Sequence, residues 1–219
     1  PGKESARLIN MYVERGGSRS PVSVRSVPGL VEVTTLGTGR VREMISDGTD
    51  IYAAVGGFFV RWDGTTATVL GDLPDDSTTM ARSRSQIGIT AGGAYYVWDG
   101  TSLAQVPGAA FSNIGSVAYI DNFGLMSALG GEAYQFTAAG DLSSLAALDF
   151  ASAETSPDDI VRIVVVGSYI WMLGDDSVEA WRNAGTSDNP FRRLQDIRLE
   201  KGLRSVSEVV KLDNTFLFV

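Results

Sequence analysis

The chain has 219 residues, 44% of them hydrophobic, and 26 acidic against 18 basic side chains leave a formal net charge of −8. That is enough apolar material for a packed core, and the acidic balance argues against wrapping a phosphate backbone, which needs a cationic footprint. With no Cys and no His, disulfides, thiolate nucleophiles, imidazole bases and the usual zinc, copper or haem ligands are excluded.

The start, Pro1-Gly2-Lys3-Glu4, has neither a basic nor an apolar run, so no secretory signal is expected there, and the missing Met suggests a processed or trimmed chain. Residues 1–40 read as an extended arm with first strands. Arg accounts for 15 of the 18 basic residues, the others being Lys3, Lys201 and Lys211. Arg7, Arg15, Arg19, Arg25, Arg40 and Arg42 fall near the N-terminus. They fit a solvated mixed-charge arm, or an arm that grips carboxylates at a protein interface.

From Val41 onward the sequence repeats itself. Ile51 to Thr65 is an apolar run, Gly56-Gly57, a second run and Trp62-Asp63-Gly64-Thr65; Ile87 to Thr101 repeats this 36 residues on, with Gly92-Gly93 and Trp98-Asp99-Gly100-Thr101. Gly-Gly suits a two-residue hairpin turn with positive φ, and Asp-Gly marks the next turn. A third copy runs from Leu125 through Gly130-Gly131 to Phe136, with Phe136 in the place of the Trp. A fourth runs from Ile170 through Asp175-Asp176 to Trp181, and a fifth begins at Asp213-Asn214, echoing Asp121-Asn122. Further apolar runs precede the hairpins at 41–45, 117–120, 160–166 and 206–212.

Three or four strands per unit, at this period, define an all-β fold: a β-propeller with four recognisable blades and the start of a fifth, read as a fragment of a larger propeller. The blades are placed at about 41–77, 78–113, 114–155, 156–205 and 206–219 (incomplete). Trp62, Trp98, Phe136 and Trp181 are expected between blades. A partial ring leaves two sheet faces uncovered. One or two helical turns are expected at Leu142–Leu148, and a short helical turn after Ser156-Pro157. The longest strongly apolar stretch, Ile163–Leu173, is broken by Gly167 and Ser168 and is too short to span a bilayer.

Paired acids are the only acid–base material: Asp47 and Asp50, Asp75 and Asp76, Asp158 and Asp159, Asp175 and Asp176. All lie at expected turns. A glycosidase needs two carboxyl groups facing across a cleft, and adjacent acids in an extended chain point to opposite sides. Calcium spacing and a phosphate-loop ending are both lacking. No catalytic, cofactor-binding or metal residue is assigned, no cofactor is expected, and the protein is read as not an enzyme.

Two segments are more specific. Asp149 to Val161, then Ser177 to Gly185 with Asn189-Pro190-Phe191-Arg192-Arg193, resemble the packaged-DNA stabilisation proteins of short-tailed phages, the tail accessory factors that close the portal. Glu200-Lys201-Gly202-Leu203 and Arg7 to Glu14 leading to Val27-Pro28-Gly29-Leu30 are similar in the same order, with Val13 where the family tends to have Pro. The resemblance implies the N-terminal half of a virion structural protein, assembled in the host cytoplasm and placed at the tail or portal vertex. It further implies a homo-oligomeric ring that binds portal or adaptor proteins, helps retain packaged DNA and links to the tail needle or its equivalent; from the charge and the short apolar runs, neither membrane nor specific nucleic-acid binding is expected. The competing readings are a carbohydrate- or receptor-binding propeller using Tyr95, Tyr96 or Trp171, and a glycoside hydrolase.

Overall fold

The computed structural model describes residues 11–14, 22–29, 31–152, 158–186 and 189–219. By contact it divides into two units, 1–35 and 36–219. In the first, β1 (Met11–Glu14) and β2 (Ser23–Ser26) form an antiparallel hairpin in which Tyr12 faces Arg25 across the register.

The second unit is built of antiparallel meanders. One sheet holds β3 (Val41–Ser46), β4 (Ile51–Val55), β5 (Phe58–Trp62) and β6 (Ala67–Asp72), and the next β7 (Thr78–Arg82), β8 (Ile87–Ala91), β9 (Ala94–Trp98) and β10 (Leu103–Gln105). A third holds β11 (Ile114–Ile120), β12 (Phe123–Ala128), β13 (Ala133–Thr137) and β14 (Leu145–Ser152), and a fourth β15 (Ile160–Val166), β16 (Tyr169–Gly174), β17 (Val178–Asn183) and β18 (Phe191–Leu199). A hairpin of β19 (Val209–Leu212) and β20 (Thr215–Phe218) follows. Sequential up-and-down strands, sheet after sheet, make a β-propeller.

The cores lie between neighbouring sheets. Tyr52 and Phe59 of the first pack on Met80, Ile87, Ile89 and Trp98 of the second. Tyr95 and Val97 meet Val117 and Met126, and Leu125, Tyr134 and Phe136 meet Ile163, Ile170, Trp181 and Phe191. Because both faces of each middle sheet are covered, strands such as Ile87–Ala91 are buried along their whole length. The 36-residue repeat also shows where cover stops: Met80 is 8% exposed but its counterpart Met44, in the first sheet, is 57% exposed. Val210, Leu212 and Leu217 of the last hairpin are exposed too.

Hydroxyl groups fix the spacing of the sheets. Thr79 Oγ1 lies 2.8 Å from Thr90 Oγ1 and accepts a 2.8 Å bond from the Val117 amide of the next sheet. Ser116 Oγ repeats this, 3.0 Å from Ser127 Oγ and 3.0 Å from the Ile163 amide. Each buried hydroxyl satisfies an amide just past a register shift, between Ile114 and Val117 or between Ile160 and Arg162.

Three local expectations need correction. In the first Gly-Gly turn the positive φ belongs to Gly56 (52°) and not to Gly57, whereas Gly92 and Gly93 are both positive (57° and 76°), so two turn geometries serve one dipeptide. Leu145–Ser152 is a strand paired with β13, and Leu142 before it is buried in a turn between sheets; cross-strand pairing overrides the local helical tendency there. The helical turn after Ser156 falls mostly outside the described residues, and Asp158 and Asp159 are irregular.

The third correction concerns Phe136. Ile87 pairs with Trp98 and Ile170 with Trp181, and both Trp rings lie against the preceding sheet: Trp98 is edge-on to Phe59 at 6.1 Å and Trp181 edge-on to Tyr134 at 5.6 Å. Leu125 pairs with Phe136, yet Phe136 faces the following sheet, 5.7 Å from Phe191. The hydroxyl pairs explain this. Thr79–Thr90 corresponds to Ser116–Ser127, so Gly124, not Leu125, stands where Ile87 stands, and Thr137 takes the Trp place. A slip of one residue exchanges the faces of a strand. The loop after β12 is four residues long, 129–132, which absorbs the slip. Leu142 fills the space that the Trp would take, its Cδ2 2.7 Å from where a Cβ on Gly124 would be.

Candidate functional site

The first strands of the four sheets, β3, β7, β11 and β15, neighbour one another around an axis, which Glu43 and Arg162 bridge. Arg162 Nη2 lies 3.4 Å from both Glu43 oxygens, and Nη1 donates to the Val206 carbonyl at 2.6 Å. These two residues occupy the strand position at which the middle sheets carry Thr79 and Ser116, so the charged pair replaces a hydroxyl staple. Burial raises the Glu43 carboxyl above its ordinary value, and Arg162 opposes that shift.

Two cavities open beside these first strands, and Glu43 and Arg162 line the first of them. One of about 390 Å³ is lined by Glu43, Met44, Arg82, Tyr119, Arg162 and Lys211, among others. The other, about 320 Å³, is lined by Asp159, Asp175, Arg204 and Val206 among others.

The paired acids are engaged as turn acceptors. Asp47 Oδ1 accepts from the amides of Thr49 and Asp50 at 2.8 and 2.7 Å, and Asp63 and Asp99 repeat the pattern at the Asp-Gly-Thr turns. These amide bonds lower all three carboxyls below their ordinary values. Asp75 lies 3.5 Å from Arg42 Nε, whose guanidinium also donates to the carbonyls of Gly56 (2.5 Å), Asp76 (2.6 Å) and Pro74, and to Thr78 Oγ1 (2.7 Å). Arg42 is thus a staple between the first two sheets and not part of an N-terminal arm.

Asp158 accepts bonds from the amides of Asp176 and Ser177 and from Ser177 Oγ, at 3.1, 2.8 and 2.7 Å. This brings the pairs 158/159 and 175/176 together. Burial, then Asp159, Asp158 and Asp176, raises the Asp175 carboxyl. Gly202 makes this packing possible, because a Cβ on it would overlap the Asp175 backbone. Among the described residues no three acidic side chains are placed to hold a metal ion.

Of the aromatic side chains named for glycan stacking, Tyr95 is buried, and Tyr96 and Trp171 are half-buried against neighbouring hydrophobic side chains. Tyr95 is 1% exposed and its hydroxyl donates to the Leu142 carbonyl at 3.0 Å. Trp171 is half-buried against Phe216, with ring centroids 5.3 Å apart.

Such a molecule is a β-propeller scaffold whose polar side chains serve turns, staples and inter-sheet contacts. The family model described as "Bacteriophage P22 Gp10, beta-propeller" matches residues 6–219, and the chain belongs to that family of phage stabilisation proteins. No curated protein matches. Among solved structures the chain is similar to the computationally designed Ika8 protein (16% identity, 98% of this chain and 70% of that one, TM-score 0.55). It is also similar to Kluyveromyces lactis Hsv2p (10%, 94% and 71%, 0.55) and to the WD40 domain of Toxoplasma gondii coronin (10%, 80% and 53%, 0.53). At these identities the likenesses bear on the fold alone.

Proposed function

We propose that this chain is a non-enzymatic structural protein of the virion, acting at the portal vertex to close the head, help retain packaged DNA and link to the tail needle or its equivalent. The observation that carries the reading is the family match over residues 6–219, on a propeller whose acids serve as turn acceptors. The charge supports it as well. A body of net charge −8 repels phosphate, which suits a component that blocks the exit of DNA without gripping it. Large rigid faces of stacked sheet suit assembly into a homo-oligomeric ring.

The test is a phage carrying a nonsense mutation in this reading frame. Its heads should package DNA and then lose it, and purified protein added back should restore retention and co-sediment with portal rings. Stable, full heads in its absence would overturn the reading. Release of reducing sugar from host polysaccharide, abolished by Asp→Asn changes, would instead support the hydrolase.

A further inference from the structure

We infer that the 390 Å³ cavity is a binding site for a small oxyanion carrying two negative charges, of the phosphate or dicarboxylate class. The inference stands on the cavity and its charges and does not depend on the virion role.

Three of the chain's 18 basic residues line this one cavity, and they come from three separate elements: Arg82 ends β7, Arg162 lies on β15 and Lys211 on β19. Among the described residues Glu43 is the only acid that lines the cavity. Arg162 balances it through contacts of 3.4 Å to both oxygens. That leaves Arg82 and Lys211, both exposed and neither in a salt bridge among the described residues. Asp47 feels the charge of Arg82 and lines a separate, smaller cavity with it, but does not line this one.

Folding therefore brings two cations, neither in a salt bridge among the described residues, to one cavity of a protein that is otherwise acidic. Like charges brought together raise the energy of the folded state, and a dianion between them removes the repulsion. Arg supplies a planar fork for two oxygens and Lys a mobile point charge, the combination that recognises phosphate and carboxylate. The second cavity makes a built-in control, since among the described residues it is lined by Asp159 and Asp175 as well as by a single cation, Arg204.

The experiment is thermal melting and titration calorimetry of the whole chain in dilute buffer, with inorganic phosphate and with succinate in separate arms and sodium chloride of matched ionic strength as the reference. A saturable rise in Tm beyond that of chloride is expected with at least one anion. Phosphate alone would assign the phosphate class, succinate alone the dicarboxylate class. Arg82→Ala and Lys211→Ala should each weaken binding at least tenfold, whereas Arg204→Ala should leave it unchanged. Arg82 and Lys211 are exposed, so the variants should keep the wild-type near-UV circular dichroism, which verifies their folding. No rise beyond chloride with either anion, or equal binding by all variants, would overturn the site.

Discussion

Trp98→Ala and Trp62→Ala form a matched pair, because the two residues hold the same place in consecutive repeats. Trp98 is 6% exposed, packed with Tyr52, Ile87 and Ile89 and edge-on to Phe59 at 6.1 Å. Trp62 is half-buried, and its indole N–H has no hydrogen-bond partner among the described residues. Truncating a buried Trp removes its transfer energy and leaves a cavity, about 3–5 kcal/mol in all. For a chain of this size each kcal/mol lowers Tm by about 2–4 °C, so a fall of about 6–20 °C is expected for Trp98→Ala. Trp62→Ala should cost about 1 kcal/mol. Urea unfolding followed by far-UV circular dichroism measures both, with the slope checked for two-state behaviour. Equal losses for the two substitutions, or a loss below about 1 kcal/mol at Trp98, would refute the inter-sheet packing argument.

Thr137→Trp, which restores the repeat residue to the third sheet, should destabilise by about 1–3 kcal/mol in the same urea assay, since Leu142 already fills that space. Gly202→Ala should cost about 3 kcal/mol or more, because its Cβ has no room beside the Asp175 backbone. Arg42→Ala should cost about 2–3 kcal/mol by stripping several carbonyls of a charged donor, with Arg42→Lys failing to rescue it, since an ammonium cannot reproduce the fork. The carboxyls of Asp63 and Asp99 are lowered in the folded state, so the native chain binds fewer protons than the unfolded one near their range. Their contribution is complete above the ordinary carboxylate pKa and is lost as pH falls through the lowered values, so a plot of Tm against pH should drop there. Asp99→Asn, which keeps an acceptor but no charge, should flatten that part of the curve.

The repeat of Ile51–Thr65 at Ile87–Thr101 made the propeller legible, because Gly-Gly and Asp-Gly report backbone conformations that local chemistry dictates. Asp121-Asn122 and its echo Asp213-Asn214 belong to the same class, and Asp121, Asn122 and Asp213 do take positive φ. Motif alignment reached its limit at Phe136. Matching Gly130-Gly131 to Gly92-Gly93 places Phe136 over Trp98, but the four-residue loop moves the strand by one position, and only the pairing of Ser116 with Ser127 reveals the slip. Arg42 illustrates a second limit. In sequence it is one basic residue in a run of several, and its acceptors at 56, 74, 76 and 78 lie 14 to 36 residues away.

By itself the sequence determined the all-β class, the hairpin turns, the period of the repeat and the absence of thiol and imidazole chemistry, all of which follow from residue type and local conformation. Only the tertiary structure decided which face of each strand is covered, that Glu43 meets Arg162 across 119 residues, and that Arg82 and Lys211 share one cavity. The physical reason is that burial and Coulomb interaction depend on distance in space, and in a ring of stacked sheets that distance is set by the angle between blades, which no local run of residues encodes.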